Sequence, residues 1–115
     1  MKKVALFVFN GDPVCFIHVL LNGLDLAKSG YDVKLIIEGS ATKLIPGLNE
    51  DGNPQHRLWQ SVKAKGLVAG VCKACATKTG VLDACQQQGL NLIGDMSGHP
   101  AMAAYLGQGY ELITF

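Results

Sequence analysis

Apolar and polar positions fall into blocks along this chain: short unbroken apolar runs, each closed by turn residues, separate longer stretches whose apolar residues recur at helical spacing. Residues 4–9 form the first run and are followed at once by Asn10, Gly11, Asp12 and Pro13, the pattern of a strand buried on both faces of a parallel sheet. Asp12 predicts an N-cap and Pro13 the first helical position, where a missing N–H costs nothing. The helix then runs from about Val14 to Lys28, Gly30 is its left-handed stop, and residues 33–37 form the second strand. Residues 39–54, with Gly47, Asn49, Gly52 and Asn53 scattered through them, read mostly as loop. Helical spacing returns with Leu58, Trp59, Val62 and Lys65 and stops at Gly66. Residues 67–71 are strand three. Residues 79–88, with Val81, Leu82 and Cys85 on one side, predict a short helix preceded by a separate helical turn near Cys75. Residues 90–93 are strand four, residues 100–106 a last helix opened by His99, and residues 110–115 strand five. Five strands alternating with four helical segments predict one α/β domain over residues 1–115. Its three layers hold a mostly parallel five-stranded sheet with helices on both faces, flavodoxin-like or Rossmann-like in topology.

The first helix carries an excess of apolar residues. Val14, Phe16, Ile17, Val19, Leu20, Leu21, Leu24, Leu26 and Ala27 leave almost no polar face, whereas a helix on one sheet needs an apolar stripe of only roughly 100°. Either residues 39–54 fold over it or a second subunit covers it, and a homo-oligomer is the expectation. Cys15 and Cys85 lie in helical patterns among apolar neighbours and are expected to be buried, and His18, inside the apolar helix, is expected as a satisfied core or interface residue. His56, near a helix start, is expected to be solvated. Trp59 and Phe16 are expected as core or interface anchors.

Charge removes several classes of partner. Ten basic and nine acidic residues give a formal net charge of +1, without the surplus that binds nucleic acid or anionic lipid. The apolar run at residues 4–9 is too short for a signal-peptide core, and no segment approaches the roughly 20 apolar residues of a membrane helix. A cytoplasmic protein is expected, in which four cysteines serve reactive, metal-binding or packing roles rather than structural disulfides.

In an open parallel sheet ligands gather beyond the carboxyl ends of the strands. Here those ends are Asn10 to Asp12, Glu38 to Ser40, Cys72 to Cys75, and Gly94 to Met96. The first loop lacks the spaced glycines of a dinucleotide site and the Gly-Lys-Ser/Thr of a phosphate loop, so no nucleotide cofactor is expected. The third loop is the richest. Cys72 and Cys75 stand where an apolar run meets polar residues, and Lys73, Lys78 and a following helical turn favour a thiolate at Cys75. Cys75 is expected to react, although a small packed residue is the plainer role. Cys72 is either a resolving thiol or the last inward residue of strand three. A Cys-x-x-Cys pair is half of a zinc site, but Cys85, His99 and His56 supply no matching second pair, and no metal is expected. His99, at a strand end, either caps the helix at Pro100 or reaches Cys75 as a base or ion-pair partner. Asp12 and Asp95 would oppose a thiolate if they shared its pocket.

The short α/β chain, with a strand ending in Val71-Cys72-Lys73-Ala74-Cys75-Ala76-Thr77, then Gly80, a Ser97-Gly98 turn and a last strand closing on Phe115, resembles the DsrE/DsrF-like family of small sulfur-relay proteins. The resemblance extends through the passage from Gly23 to Gly39, where a helix leads into an apolar strand and a small-residue turn. It implies a DsrE-like fold and trimeric or hexameric assembly. It also implies a functional cysteine after the third or fourth strand that accepts and passes on persulfide sulfur, a position Cys75 fits better than Cys72. Three activities follow as expectations: a sulfur carrier or sulfurtransferase subunit that works with donor and acceptor proteins, a dithiol redox protein using Cys72 and Cys75, and a non-catalytic oligomeric binding module.

Overall fold

The computed structural model describes residues 2–115. Its strands are β1 (Lys3–Val8), β2 (Asp32–Ile37), β3 (Val68–Cys72), β4 (Leu92–Ile93) and β5 (Glu111–Thr114). They pair in parallel throughout, in the order β4-β3-β2-β1-β5. That order dictates the layers. From β1 to β4 every crossover steps the same way across the sheet, so right-handed connections place their helices on one face; the last step returns past β1 to β5, which puts its helix on the other. The first face carries α1 (Pro13–Lys28), a 3₁₀ segment (Gly39–Leu44), α2 (Ile45–Leu48), α3 (His56–Ala64), α4 (Lys73–Thr79) and α5 (Leu82–Gln87). The second carries α6 (Met102–Leu106).

The alternation along β1 follows from this division. Val4, Leu6 and Val8 pack with Phe16, Val19 and Leu20 of α1 and with Trp59 and Val62 of α3, while Ala5 and Phe7 pack against Tyr105 and Tyr110 on the other side. With both faces covered, β1 needs the uninterrupted apolar run that its sequence shows. Asp12 caps α1 by accepting from the Val14 N–H at 2.9 Å, and Pro13 opens the helix. Phe16, Val19, Leu20 and Gly23 form its buried stripe. Cys15, expected inside, lies on the opposite, exposed face with Val14, His18 and Leu21, because positions 15 and 18 fall outside the spacing set by 16, 19, 20 and 23, which removes the core alternative for His18.

Three segments depart from the expected boundaries. Residues 39–54 are not mainly loop: Ala41, Ile45 and Leu48 are buried at helical spacing within the 3₁₀ segment and α2, a periodicity masked by the surrounding Gly and Asn. The helix expected at 79–88 starts at Leu82, after the separate turn expected near Cys75 ends as α4 at Gly80, whose φ of 76° is the left-handed conformation that glycine adopts without strain. The last helix starts at Met102 rather than Pro100, with the Asp95 carboxylate accepting from the Ala101 N–H at 3.1 Å. Among the described residues no helix is long and apolar enough to cross a membrane.

Candidate functional site

The site is built where β3 runs into α4. Cys72 is both the last residue of β3 and the N-cap of α4, and its sulfur accepts from the Cys75 N–H at 3.3 Å, a role usually filled by an oxygen. Cys72 is fully buried. Burial is the main cause that pushes its thiol up to about 12, the Cys75 side chain adds to the shift and the Cys75 N–H opposes it, so Cys72 is a protonated thiol at neutral pH. Cys75, one turn later, is half-buried and opens into a cavity of about 490 Å³ lined by Gly39, Ser40, Lys43, Lys78 and Thr79.

The turn after β4 supplies the imidazole. His99 Nδ1 lies 3.1 Å from Cys72 Sγ and 3.9 Å from Cys75 Sγ. Main-chain bonds hold it there: the Met96 N–H donates to His99 O at 2.8 Å, the His99 N–H donates back at 2.9 Å, and the Ala74 N–H donates to Gly98 O at 2.8 Å. Gly98 has a φ of 92°, and an added Cβ would lie 3.2 Å from that of Ala74, so the turn needs glycine on both counts. α6 has Ala101 at its N-cap and no side-chain cap, so His99 is not spent on capping, and the plainer role expected for it is replaced by contact with the thiols.

Glu38, just beyond β2, is the fourth member. It is only 6% exposed, and burial raises its carboxyl above the usual range while the charge of His99 opposes the shift. One donor atom from each of Glu38, Cys72, Cys75 and His99 lies within 4.8 Å of all the others. Glu38 and His99 also line a second cavity of about 390 Å³ with Phe9, Met96, Pro100 and Met102.

The fold thus brings Cys72, Cys75 and His99 together and places Lys78 on the Cys75 cavity. Lys73 is exposed and lies outside that cavity's lining. Asp12 is occupied as the cap of α1, and Asp95 accepts from the Ala101 N–H. Cys85 is buried in the main core, and His56, expected to be solvated, is half-buried, with Nδ1 bound to Leu48 O at 2.9 Å and Nε2 at 3.3 Å from Asp51. Two lining residues carried no expected role. Glu38 stands at a strand's carboxyl end, where an acidic residue closing an apolar run was the available signal; Lys43 lies in the stretch read as loop, which offered none.

The model of the DsrE/DsrF-like family matches residues 3–115. The chain belongs to the DsrE/DsrF-like family. This family is linked to sulfur relay. Among its relatives, this DsrE/DsrF-like chain is 31% identical to the uncharacterized protein MJ0733 of Methanocaldococcus jannaschii, across 96% of this chain and 93% of that one. It is 51% identical over 41 residues to an uncharacterized protein of Archaeoglobus fulgidus, a stretch covering 36% of this chain and 67% of the other. Its fold is similar to that of the conserved protein of unknown function BT1422 from Bacteroides thetaiotaomicron, with a TM-score of 0.71, 14% identity and coverage of 99% and 95% of the two chains.

Proposed function

We propose that this protein is a sulfur carrier or sulfurtransferase subunit that takes up persulfide sulfur on Cys75. The observation that carries the reading is the contrast between the two thiols: Cys75 opens onto a cavity with Lys43 and Lys78, whereas Cys72 is buried and held as a thiol. Cys75 gives its proton to His99 or to water, and the thiolate attacks the outer sulfur of a donor persulfide. A new S–S bond forms at Cys75, the donor's S–S bond breaks, and the donor leaves as a thiolate. An acceptor thiolate then attacks the outer sulfur now held on Cys75, which departs as a thiolate. Nothing is oxidised or reduced overall, so no cofactor is required. The two lysines favour the anionic thiolate and persulfide by charge.

The proximity of the two sulfurs, within 4.8 Å, also favours a dithiol–disulfide cycle, against which the protonated, buried state of Cys72 weighs. We read the protein as a cytoplasmic homo-oligomer, a trimer or hexamer, that meets separate donor and acceptor proteins without nucleic acid or membrane. Support for assembly comes from the outer face of α1, where Val14 is 73% and Leu21 46% exposed.

The test is intact mass and alkylation after incubating the reduced protein with a polysulfide donor. The carrier reading expects a gain of one sulfur that Cys72→Ser retains and Cys75→Ser abolishes. Loss of two hydrogens requiring both cysteines would instead establish the redox cycle, and an inert Cys75 would leave a binding module.

A further inference from the structure

Cys72 and Cys75 alone are half of a metal site, and the sequence supplies no matching second pair. Folding completes the set from two other strand ends. Glu38 after β2 brings a carboxylate, the turn after β4 brings the His99 imidazole, and the four donor atoms lie within 4.8 Å of one another. Around a tetrahedral zinc ion, bonds of about 2.0–2.3 Å set donor atoms about 3.3–3.8 Å apart. The separations of His99 Nδ1 from the two sulfurs, 3.1 and 3.9 Å, straddle that range. We propose that Glu38, Cys72, Cys75 and His99 form a binding site for one thiophilic divalent cation, with zinc the ion their donor set fits.

Glu38 supplies a second and independent line of support. The residue is only 6% exposed, its carboxylate faces the cavity that it lines with His99, and among the described residues that carboxylate has no hydrogen bond and no ion pair. A carboxylate held among apolar neighbours with no cation beside it is disfavoured in its charged form, and a dication in this cluster provides the counter-charge. Two sulfurs and an imidazole select against magnesium and calcium, which take oxygen ligands. The environment is also prepared around the donors. The Cys75 N–H already donates to Cys72 Sγ, the kind of outer contact that orients a thiolate ligand, and the main-chain bonds of the Met96 to His99 turn fix the imidazole.

Binding is balanced as follows. Each thiol releases its proton to solvent, His99 coordinates through Nδ1 with its proton on Nε2, and the carboxylate binds ionised. Two thiolates, one carboxylate and a dication leave one negative charge, which Lys43 and Lys78 beside Cys75 partly offset. Because the metal takes the Cys75 lone pair needed for attack on a donor, bound zinc and sulfur uptake exclude one another. The site itself does not depend on the sulfur reading.

Cobalt(II) titration of the reduced, metal-free protein, followed by absorption and by back-titration with zinc, tests it. One cobalt per chain is expected, with tetrahedral ligand-field bands and thiolate-to-cobalt charge transfer that one equivalent of zinc displaces. Cys72→Ser and Cys75→Ser should each cut the charge-transfer intensity by about half or abolish binding. Glu38→Gln should weaken binding by at least about tenfold, and Cys15→Ser and Cys85→Ser should leave it unchanged. Circular dichroism checks that each variant is folded, and Glu38→Ala stands in if Glu38→Gln is not. Absence of a tetrahedral spectrum, charge transfer surviving the double serine variant, or a folded Glu38 variant binding like wild type would overturn the proposal. Sulfur loading measured in parallel with a chelator present separates the two accounts: uptake without cobalt binding removes only the metal site, and cobalt binding without uptake removes only the carrier.

Discussion

Cys72 and Cys75 are three positions apart and face different surroundings. The first is packed at a strand end with its sulfur engaged by a main-chain N–H; the second faces a cavity bordered by lysines. Spacing alone left either as the working thiol, because exposure at a strand-to-helix junction depends on which way the chain turns. Glu38 has a parallel history: it was visible at a strand's carboxyl end, but nothing local indicated that it would be buried without a partner. Its raised carboxyl pKa makes a stability prediction. The folded state holds the Glu38 proton more tightly than the unfolded chain, so the associated stability is present below the ordinary carboxyl value and is lost as pH rises through the raised folded value. Glu38→Gln removes that loss. Metal-free Glu38→Gln should therefore melt higher than wild type at neutral pH, with the gap closing as pH falls below the ordinary carboxyl value. Thermal unfolding of both proteins across this range checks it; a variant that melts lower at neutral pH would show that the carboxylate has a stabilising partner.

At the scale of elements, those with strong local punctuation were legible in the sequence. Asp12-Pro13 opens α1, the apolar run of β1 marks a strand covered on both faces, and Gly30 and Gly66 each follow a helix with positive φ. What escaped was structure with weak propensity and strong tertiary support. The 3₁₀ segment and α2 contain two glycines and a proline, and they are held by burying Ala41, Ile45 and Leu48 rather than by intrinsic helical preference. The two helical segments after β3 were legible, but that Gly80 ends the first of them depends on its left-handed φ. For His99 the sequence leaves two roles open, capping the helix at Pro100 or reaching the thiols; α6 has no side-chain cap, and the imidazole lies against the two sulfurs.

For the whole molecule, α/β class and a parallel sheet follow from the alternation of strands and helices, and the family resemblance rests on the passage around Cys75. Strand order does not follow from local pattern. The order β4-β3-β2-β1-β5 makes β2, β3 and β4 neighbours, so their carboxyl ends deliver Glu38, the two cysteines and the His99 turn to one place. The same order leaves α6 alone on one face and the outer side of α1 uncovered. If that side of α1 is the subunit contact, light scattering should return a multiple of the 12.2 kDa chain, and Val14→Asp with Leu21→Asp should convert it to a folded monomer. A wild-type monomer would place the assembly reading in error.

The most direct test of the central claim, that Cys75 rather than Cys72 is the working thiol, is residue-resolved alkylation of the native, reduced, metal-free protein at neutral pH. Cys75 should be modified at least about tenfold faster than Cys72, which stays protected until unfolding or strongly alkaline pH releases it. Equal rates, or faster modification of Cys72, would contradict the account.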